Sequence, residues 1–248
     1  MGNARFVGGG DALTTQPMLR VNEIFTSVQG EGPSAGEPAV FLRLASCNLN
    51  CVWCDTPYSW DWHAFDRSKE VHSMTIDDVL RMVLACLGEC KLLVITGGEP
   101  LLQQAGLAVF LQALRTVSSN VRAEVETNGT IQAQAEVASL VHLFVASPKL
   151  ANSAIAGNRR LRPHVLQSFA RLNSVLKFVT VEPSEAEEVG HIVANAGFEH
   201  DRVWLMPEGT TAQSIREGMK ELAPVCVANG YNLSPRLHIL MWGDVRGL

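Results

Sequence analysis

No stretch of this chain comes near the roughly 20 consecutive apolar residues that cross a bilayer, so a membrane-spanning role is not expected. Positive charge is not in excess either: 20 Lys and Arg stand against 25 Asp and Glu, for a formal net charge of −5. That balance removes any bulk electrostatic case for nucleic acid or an anionic membrane as partner. The opening "MGNARFVGGGDALTTQP" lacks the continuous apolar segment of a secretory signal, which leaves the cytoplasm as the expected compartment. Internal repeats, low-complexity tracts, linkers and a Rossmann-type glycine fingerprint are all missing. One domain over 21–248 is therefore expected, behind a flexible lead-in at 1–20 that contains Gly8 to Gly10.

What is present is a globular composition, 47% hydrophobic and 18% charged over 248 residues. A core of that size folds without disulfides. Apolar runs and helical periodicities alternate. Strands are expected at 21–28, 39–45, 91–96, 121–127, 142–147, 174–181, 202–207 and 236–242. Helices are expected over 75–88 with Thr75 as N-cap, then around Leu107–Val117, 132–140 and 163–172. Two more open with capping-box order, Ser184-x-x-Glu187 and Thr210-x-x-Gln213. This alternation is the pattern of a mostly parallel sheet with covering helices, and without a Rossmann glycine fingerprint it favours an α/β partial (β/α) barrel of about six to seven strands. Polar loops follow the strands: "TGGEP" (96–100), "ETNGT" (126–130), "SPK" (147–149) and "MPEG" (206–209). In a parallel barrel they open on one rim, where ligands bind.

Six cysteines in a chain expected to be cytoplasmic point to metal or redox chemistry rather than disulfides. Cys47, Cys51 and Cys54 stand at C-x3-C-x2-C spacing in "CNLNCVWC", while Cys86, Cys90 and Cys226 read as small buried hydrophobes. Three thiolates leave one iron of a four-iron cluster without a protein ligand, and that iron can chelate a small molecule. Two alternatives stay open: a glycyl-radical activase with the same spacing, and a structural Cys3His zinc site completed by His63 or His72.

"CNLNCVWC" together with "TGGEP" resembles the radical S-adenosylmethionine (SAM) enzymes, whose core is a partial (β/α) barrel. With "VQGEG", "CDTPYSW", "ETNGT", "SPK", "LKFV", "MPEG" and "LSPRLHILMWGDVRG", the chain from about residue 21 onward resembles the 7-carboxy-7-deazaguanine synthase family. The resemblance implies a carbon–nitrogen lyase that converts 6-carboxy-5,6,7,8-tetrahydropterin to 7-carboxy-7-deazaguanine, on the way to queuosine and other 7-deazapurines. It implies a [4Fe–4S] cluster on Cys47, Cys51 and Cys54, SAM on the open iron, and Mg2+ at Thr56. SAM contacts are implied at Trp53, Asp55, Gly98, Glu99, Asn128, Ser147, Pro148 and Lys149. Substrate contacts are implied at Val28, Gln29, Gly30, Glu31, Arg43, Thr96 and His238. Arg43 suits a carboxylate by bidentate pairing, and Gln29 and Glu31 suit the amide and amino edges of a guanine-like ring. A homodimer and an external electron donor such as flavodoxin are also implied, and the arginines of "NRRLR" (158–162) could dock an acidic donor.

Overall fold

Two strands, Met18–Val28 (β1) and Pro38–Leu44 (β2), pair antiparallel, with Thr26 opposite Val40 and a bulge between Val21 and Glu23. The computed structural model of the protein describes residues 17–247. Most of the expected lead-in lies outside the described residues. Met18–Arg20 already belong to β1, and Leu19 is fully buried, so the folded unit starts before residue 21.

His72–Thr75 (β3) pairs antiparallel with the start of β1. Leu92–Gly97 (β4), Arg122–Thr127 (β5), Leu143–Ala146 (β6), Ser174–Thr180 (β7), Val203–Pro207 (β8) and Asn232–Leu233 (β9) then add in parallel beyond β2. The order is β3-β1-β2-β4-β5-β6-β7-β8-β9, one nine-stranded sheet that does not close. It exceeds the expected strand number because β3 and β9 are short edge pieces without apolar alternation, which is the signal that sequence patterns carry.

The helices are Arg67–Glu70 (α1), Ile76–Leu87 (α2), Gln104–Val117 (α3), Ala135–Ala138 (α4), Gly157–Arg160 (α5), Pro163–Ala170 (α6), Ala186–Ala196 (α7), Ala212–Asn229 (α8) and Leu237–Trp242 (α9). Thr75 caps α2 by accepting from Asp78 N at 3.2 Å, as its sequence position predicts. Both expected capping boxes move. Pro183 has no N–H, so the box ahead of α7 forms between Glu182 and Glu185 rather than Ser184 and Glu187. At α8 the box is Thr211 with Ser214, one residue on from Thr210 and Gln213, and Gln213 instead donates to Glu217 at 3.0 Å.

The last expected strand, 236–242, is a helix. Pro235 precedes it, and within the run Ile239 is buried while Met241 and Trp242 are 50% and 40% exposed. An apolar run with one buried side covers a barrel mouth and does not thread a sheet. Leu237 N donates to Gly30 O at 3.0 Å and fastens α9 to the loop after β1.

The two sheet faces have different chemistry. Outward residues such as Leu42, Ile95 and Val125 join the main core beneath the helices. Inward, Phe25, Ala39, Phe41, Leu92 and Val94 plug the floor of the barrel. On β5, Glu124 and Glu126 alternate with outward Ala123 and Val125, so two carboxylates enter the interior.

Candidate active site

Above the apolar plug, at the C-terminal ends of the parallel strands, lies a cavity of about 710 Å3. The cysteine loop forms one wall. It leaves β2 through Ser46, which is held at φ +83°; its N–H donates to Ser59 O at 2.7 Å and its carbonyl accepts from Glu99 N at 2.8 Å. "TGGEP" packs directly on that loop: a Cβ on Gly98 would lie 2.2 Å from Ser46 O, and one on Gly97 2.0 Å from Leu44 O. The double glycine is therefore demanded by backbone meeting backbone, whatever ligand also approaches.

All three loop cysteines line the cavity as free, half-buried thiols. Burial pushes the Cys47 thiol up to about 11 and raises that of Cys51. Cys54 Sγ accepts the Trp60 indole N–H at 3.2 Å. Among the described residues no three His, Cys, Asp or Glu side chains converge on a single-ion site. His63 and His72 are exposed and lie away from the cavity wall, so neither joins the thiols in a Cys3His arrangement. Three unpaired thiols spread around one loop, with an open cavity before them, fit a cluster larger than one ion.

The neighbouring corner gathers Trp53, Ser147 and Lys149. The Trp53 indole donates to Asn152 Oδ1 at 3.1 Å, and Lys149 Nζ sits 5.3 Å from the Trp53 ring centre and 3.0 Å from Ser147 Oγ. Asn128 Nδ2 donates to Asn48 Oδ1 at 2.8 Å, tying "ETNGT" to the cysteine loop. The Thr56 hydroxyl caps nothing, although Thr56 begins the turn Pro57–Ser59, and it lines the cavity 3.8 Å from Cys54 Sγ.

Two of the expected ligand contacts stand back from the cavity. Pro148 does not line it. Glu99 is fully buried, and its carboxylate accepts from Leu101 N (2.9 Å), the Thr127 hydroxyl (2.9 Å) and Asn128 N (2.7 Å). In this arrangement Glu99 clamps "TGGEP" to "ETNGT", and burial raises its pKa.

Opposite the cysteines lies a charged network that the sequence only partly revealed. Lys177 projects from β7 between Glu31 (2.5 Å) and Glu126 (3.2 Å). Glu31 also meets Arg236 at 3.0 Å, with His238 Nε2 at 3.9 Å. Arg236 in turn pairs with Asp55, joining Glu31 to the end of the cysteine loop. Burial alone would raise the Glu31 pKa, but the Lys177 and Arg236 cations overcome it and hold the carboxyl well below its usual range. Burial lowers the His238 pKa. Glu126 further accepts from the Thr96 hydroxyl at 2.8 Å and from Gln29 Nε2 at 3.4 Å. Val28, Gln29, Gly30 and Glu31 all line the cavity, and a Cβ on Gly30 would strike His238 Nδ1 at 2.3 Å. Arg43 lines the wall, its Nε donating to Glu23 at 2.6 Å with Phe25 and Tyr58 rings beside it.

Glu126, Lys177 and Arg236 are the site residues that sequence reasoning missed. A signal existed for one of them: a lysine inside the apolar run "SVLKFVTV" must find a partner if that run is buried.

The site and fold define a class. The Radical SAM superfamily model matches residues 43–149, which spans the cysteine loop, "TGGEP", "ETNGT" and "SPK". The chain is thus a radical SAM enzyme, and with that class come a [4Fe–4S] cluster and SAM as cofactors. The fold resembles the crystal structure of QueE from Escherichia coli (TM-score 0.64, 24% identity, 88% of this chain and 93% of that one). It also resembles Streptococcus suis SuiB bound to S-adenosylmethionine (TM-score 0.50, 13% identity, 76% and 44%). The 7-carboxy-7-deazaguanine synthase of Pyrobaculum aerophilum is 36% identical over 95% of this chain and its own full length. That of Halobacterium salinarum is 35% identical over 95% of this chain and 93% of its own. The chain belongs to the 7-carboxy-7-deazaguanine synthase family.

Proposed function

We propose that this enzyme converts 6-carboxy-5,6,7,8-tetrahydropterin to 7-carboxy-7-deazaguanine with loss of ammonia, in 7-deazapurine biosynthesis. The observation that carries this reading is one cavity with three free thiols on one wall and a polar, charge-balanced network on the other. Cys47, Cys51 and Cys54 would hold the cluster, which together with SAM would supply the radical chemistry needed at the substrate's C6 position. The chain's own residues bind and orient. Carboxylates accept hydrogen bonds and do not donate them when ionised, so Glu31 and Glu126 suit the N–H and amino donors of a pterin edge, beside Gln29 and Thr96. Among the described residues Arg43 makes one side-chain hydrogen bond, through Nε to Glu23, and its terminal nitrogens suit the substrate carboxylate. Ser147, Lys149, Trp53, Asn128 and Gly98 would hold SAM on the cluster side, where Lys149 brings a positive charge to the cavity wall. The Thr56 hydroxyl caps no turn and has only the long contact to Cys54 Sγ at 3.8 Å, so it suits Mg2+, a hard cation that keeps most of its ligands from water and substrate.

The unit is one radical SAM domain, placed in the cytoplasm and working as a homodimer, as the family resemblance implies. No helix among the described residues is long and apolar enough to cross a membrane. The test is anaerobic turnover with SAM, Mg2+, a reductant and 6-carboxytetrahydropterin, followed by the absorbance of the deazapurine. Product is expected. Cleavage of SAM without product would keep the class and remove the substrate.

An acidic one-electron donor such as flavodoxin fits the α5 surface beside the cysteine loop. Arg159 and Arg162 are exposed there, and Arg159 Nη2 donates to Asn48 O at 3.3 Å. Arg160 is already engaged, by Glu188 and Lys149 O, both at 2.7 Å. Arg162→Glu should raise the KM for flavodoxin severalfold and weaken its salt dependence, leaving dithionite-driven turnover unchanged. An unaltered KM for flavodoxin would remove this surface from consideration.

A further inference from the structure

Trp60 lies six residues after Cys54, at the end of the turn Pro57–Ser59. That turn is pinned on several sides. Trp60 N and Asp61 N both donate to Pro57 O, at 3.0 and 2.7 Å, and the hydroxyl of fully buried Ser59 donates to Thr56 O at 2.8 Å. Ser59 O takes the Ser46 N–H at 2.7 Å, so the start and end of the cysteine loop are joined. The result is an indole held with Nε1–H aimed at Cys54 Sγ, at 3.2 Å. The donors facing Cys47 Sγ are farther away: Leu49 N at 3.4 Å and Asn128 Nδ2 at 3.9 Å. Trp53, the other indole next to Cys54 in sequence, directs its N–H away to Asn152.

We propose that Trp60 is a positioning residue that sets the reduction potential of the cluster through Cys54. The inference rests on Cys54 being a cluster ligand. A thiolate bound to iron carries more negative charge when the cluster is reduced, so an N–H aimed at its sulfur stabilises the reduced form more than the oxidised one. Reduction becomes easier. The hydrogen bond also holds the Cys54 side chain in one orientation. Indole is suited to this task because it donates without accepting: it does not compete for iron and does not titrate. A purely packing role would need the ring and not the nitrogen.

The test compares wild type with Trp60→Phe, which keeps an aromatic ring and removes the donor. Both proteins are reconstituted anaerobically, their iron and sulfide are counted, and the reduced-cluster EPR signal is followed during a redox titration without SAM. Equal cluster content is expected. At any fixed potential the ratio of reduced to oxidised cluster should fall about tenfold in the variant, a midpoint about 59 mV lower for a one-electron couple. Equal midpoints in fully loaded proteins would overturn the inference and leave the cysteine assignment standing. A wild-type protein that takes up no cluster would overturn both. Should Trp60→Phe fail to load, pulsed EPR on wild type carrying 15N-indole tryptophan decides instead. A 15N coupling to the reduced cluster supports the hydrogen bond, and its absence overturns it.

Discussion

Lys177→Met should lower the stability of the fold by about 3–5 kcal/mol at pH 7, the usual cost of breaking a buried ion pair by removing one partner. Lys177 is 4% exposed and touches two carboxylates at once, Glu31 at 2.5 Å and Glu126 at 3.2 Å. Burial by itself would lower its pKa, yet the Glu126 and Glu31 charges hold the ammonium pKa above its ordinary value. Methionine fills much of the same space and carries no charge, so the loss is electrostatic rather than a cavity. Glu31 keeps Arg236, whereas Glu126 loses the one cation that contacts it among the described residues. The measurement is urea unfolding of both proteins at several pH values. The sign follows from Glu31. Its folded pKa lies below the unfolded value, so its contribution is present above about pH 4.5 and fades as pH falls through the folded pKa. The difference between the proteins should therefore narrow toward acid. Adding Glu126→Gln to the Lys177→Met protein should restore part of the loss. A variant as stable as wild type at neutral pH would mean that the network is not held by Lys177.

The same residue shows what the sequence could and could not reveal. Lys177 sits on an inward face that only the curvature of the sheet creates, and its partners come from β5 and from the loop after β1. No local pattern in "SVLKFVTV" names those partners. The parallel strands β4, β6, β7 and β8 were legible as short, mostly apolar runs with turn residues behind them, and β5 by its period-two alternation. The end of the chain was not legible. "RLHILMW" is an apolar run too short for its periodicity to separate strand from helix, and its burial on one side only became visible once the barrel mouth existed. The cysteine loop was legible by spacing and resemblance, but Trp60 could not be distinguished from any other aromatic until its nitrogen was found beside a sulfur. Glu99 illustrates the reverse case. Its place in "TGGEP" suggested a ligand contact, and the fold surrounds it with a backbone donor from its own loop and with hydroxyl and backbone donors from the end of the adjoining strand.

Glu124 should make the protein less stable as pH rises from about 4.5 to about 7, and Glu124→Gln should remove that dependence. The carboxyl is 1% exposed on the inner face of β5 and accepts from the Ser34 hydroxyl at 2.6 Å and Gln29 Nε2 at 3.4 Å. Burial pushes its pKa up to about 7; Ser34, Lys177 and Gln29 oppose the rise, and the nearby Glu126 charge adds to it. Its ordinary value is 4.5, so between about 4.5 and 7 the folded chain holds a proton that the unfolded chain releases. Stability then falls with rising pH across that window and levels off above it. The full change is on the order of 3 kcal/mol. Glutamine keeps a partner for Ser34 and cannot ionise, so the variant should be the more stable protein at pH 8 by roughly 2–3 kcal/mol, and nearly equal to wild type at pH 5. Urea unfolding across pH 5–8 measures this; parallel curves for the two proteins would overturn it. The titration also reaches the cavity. Gln29 Nε2 is shared between Glu124 and Glu126, so ionising Glu124 strengthens the pull on the amide from below and loosens its hold on Glu126. An inflection in kcat/KM near pH 7 is therefore expected for wild type and should vanish in Glu124→Gln, because the group that titrates there lies beneath the cavity-lining Gln29 and Glu126 and not on the cavity wall itself.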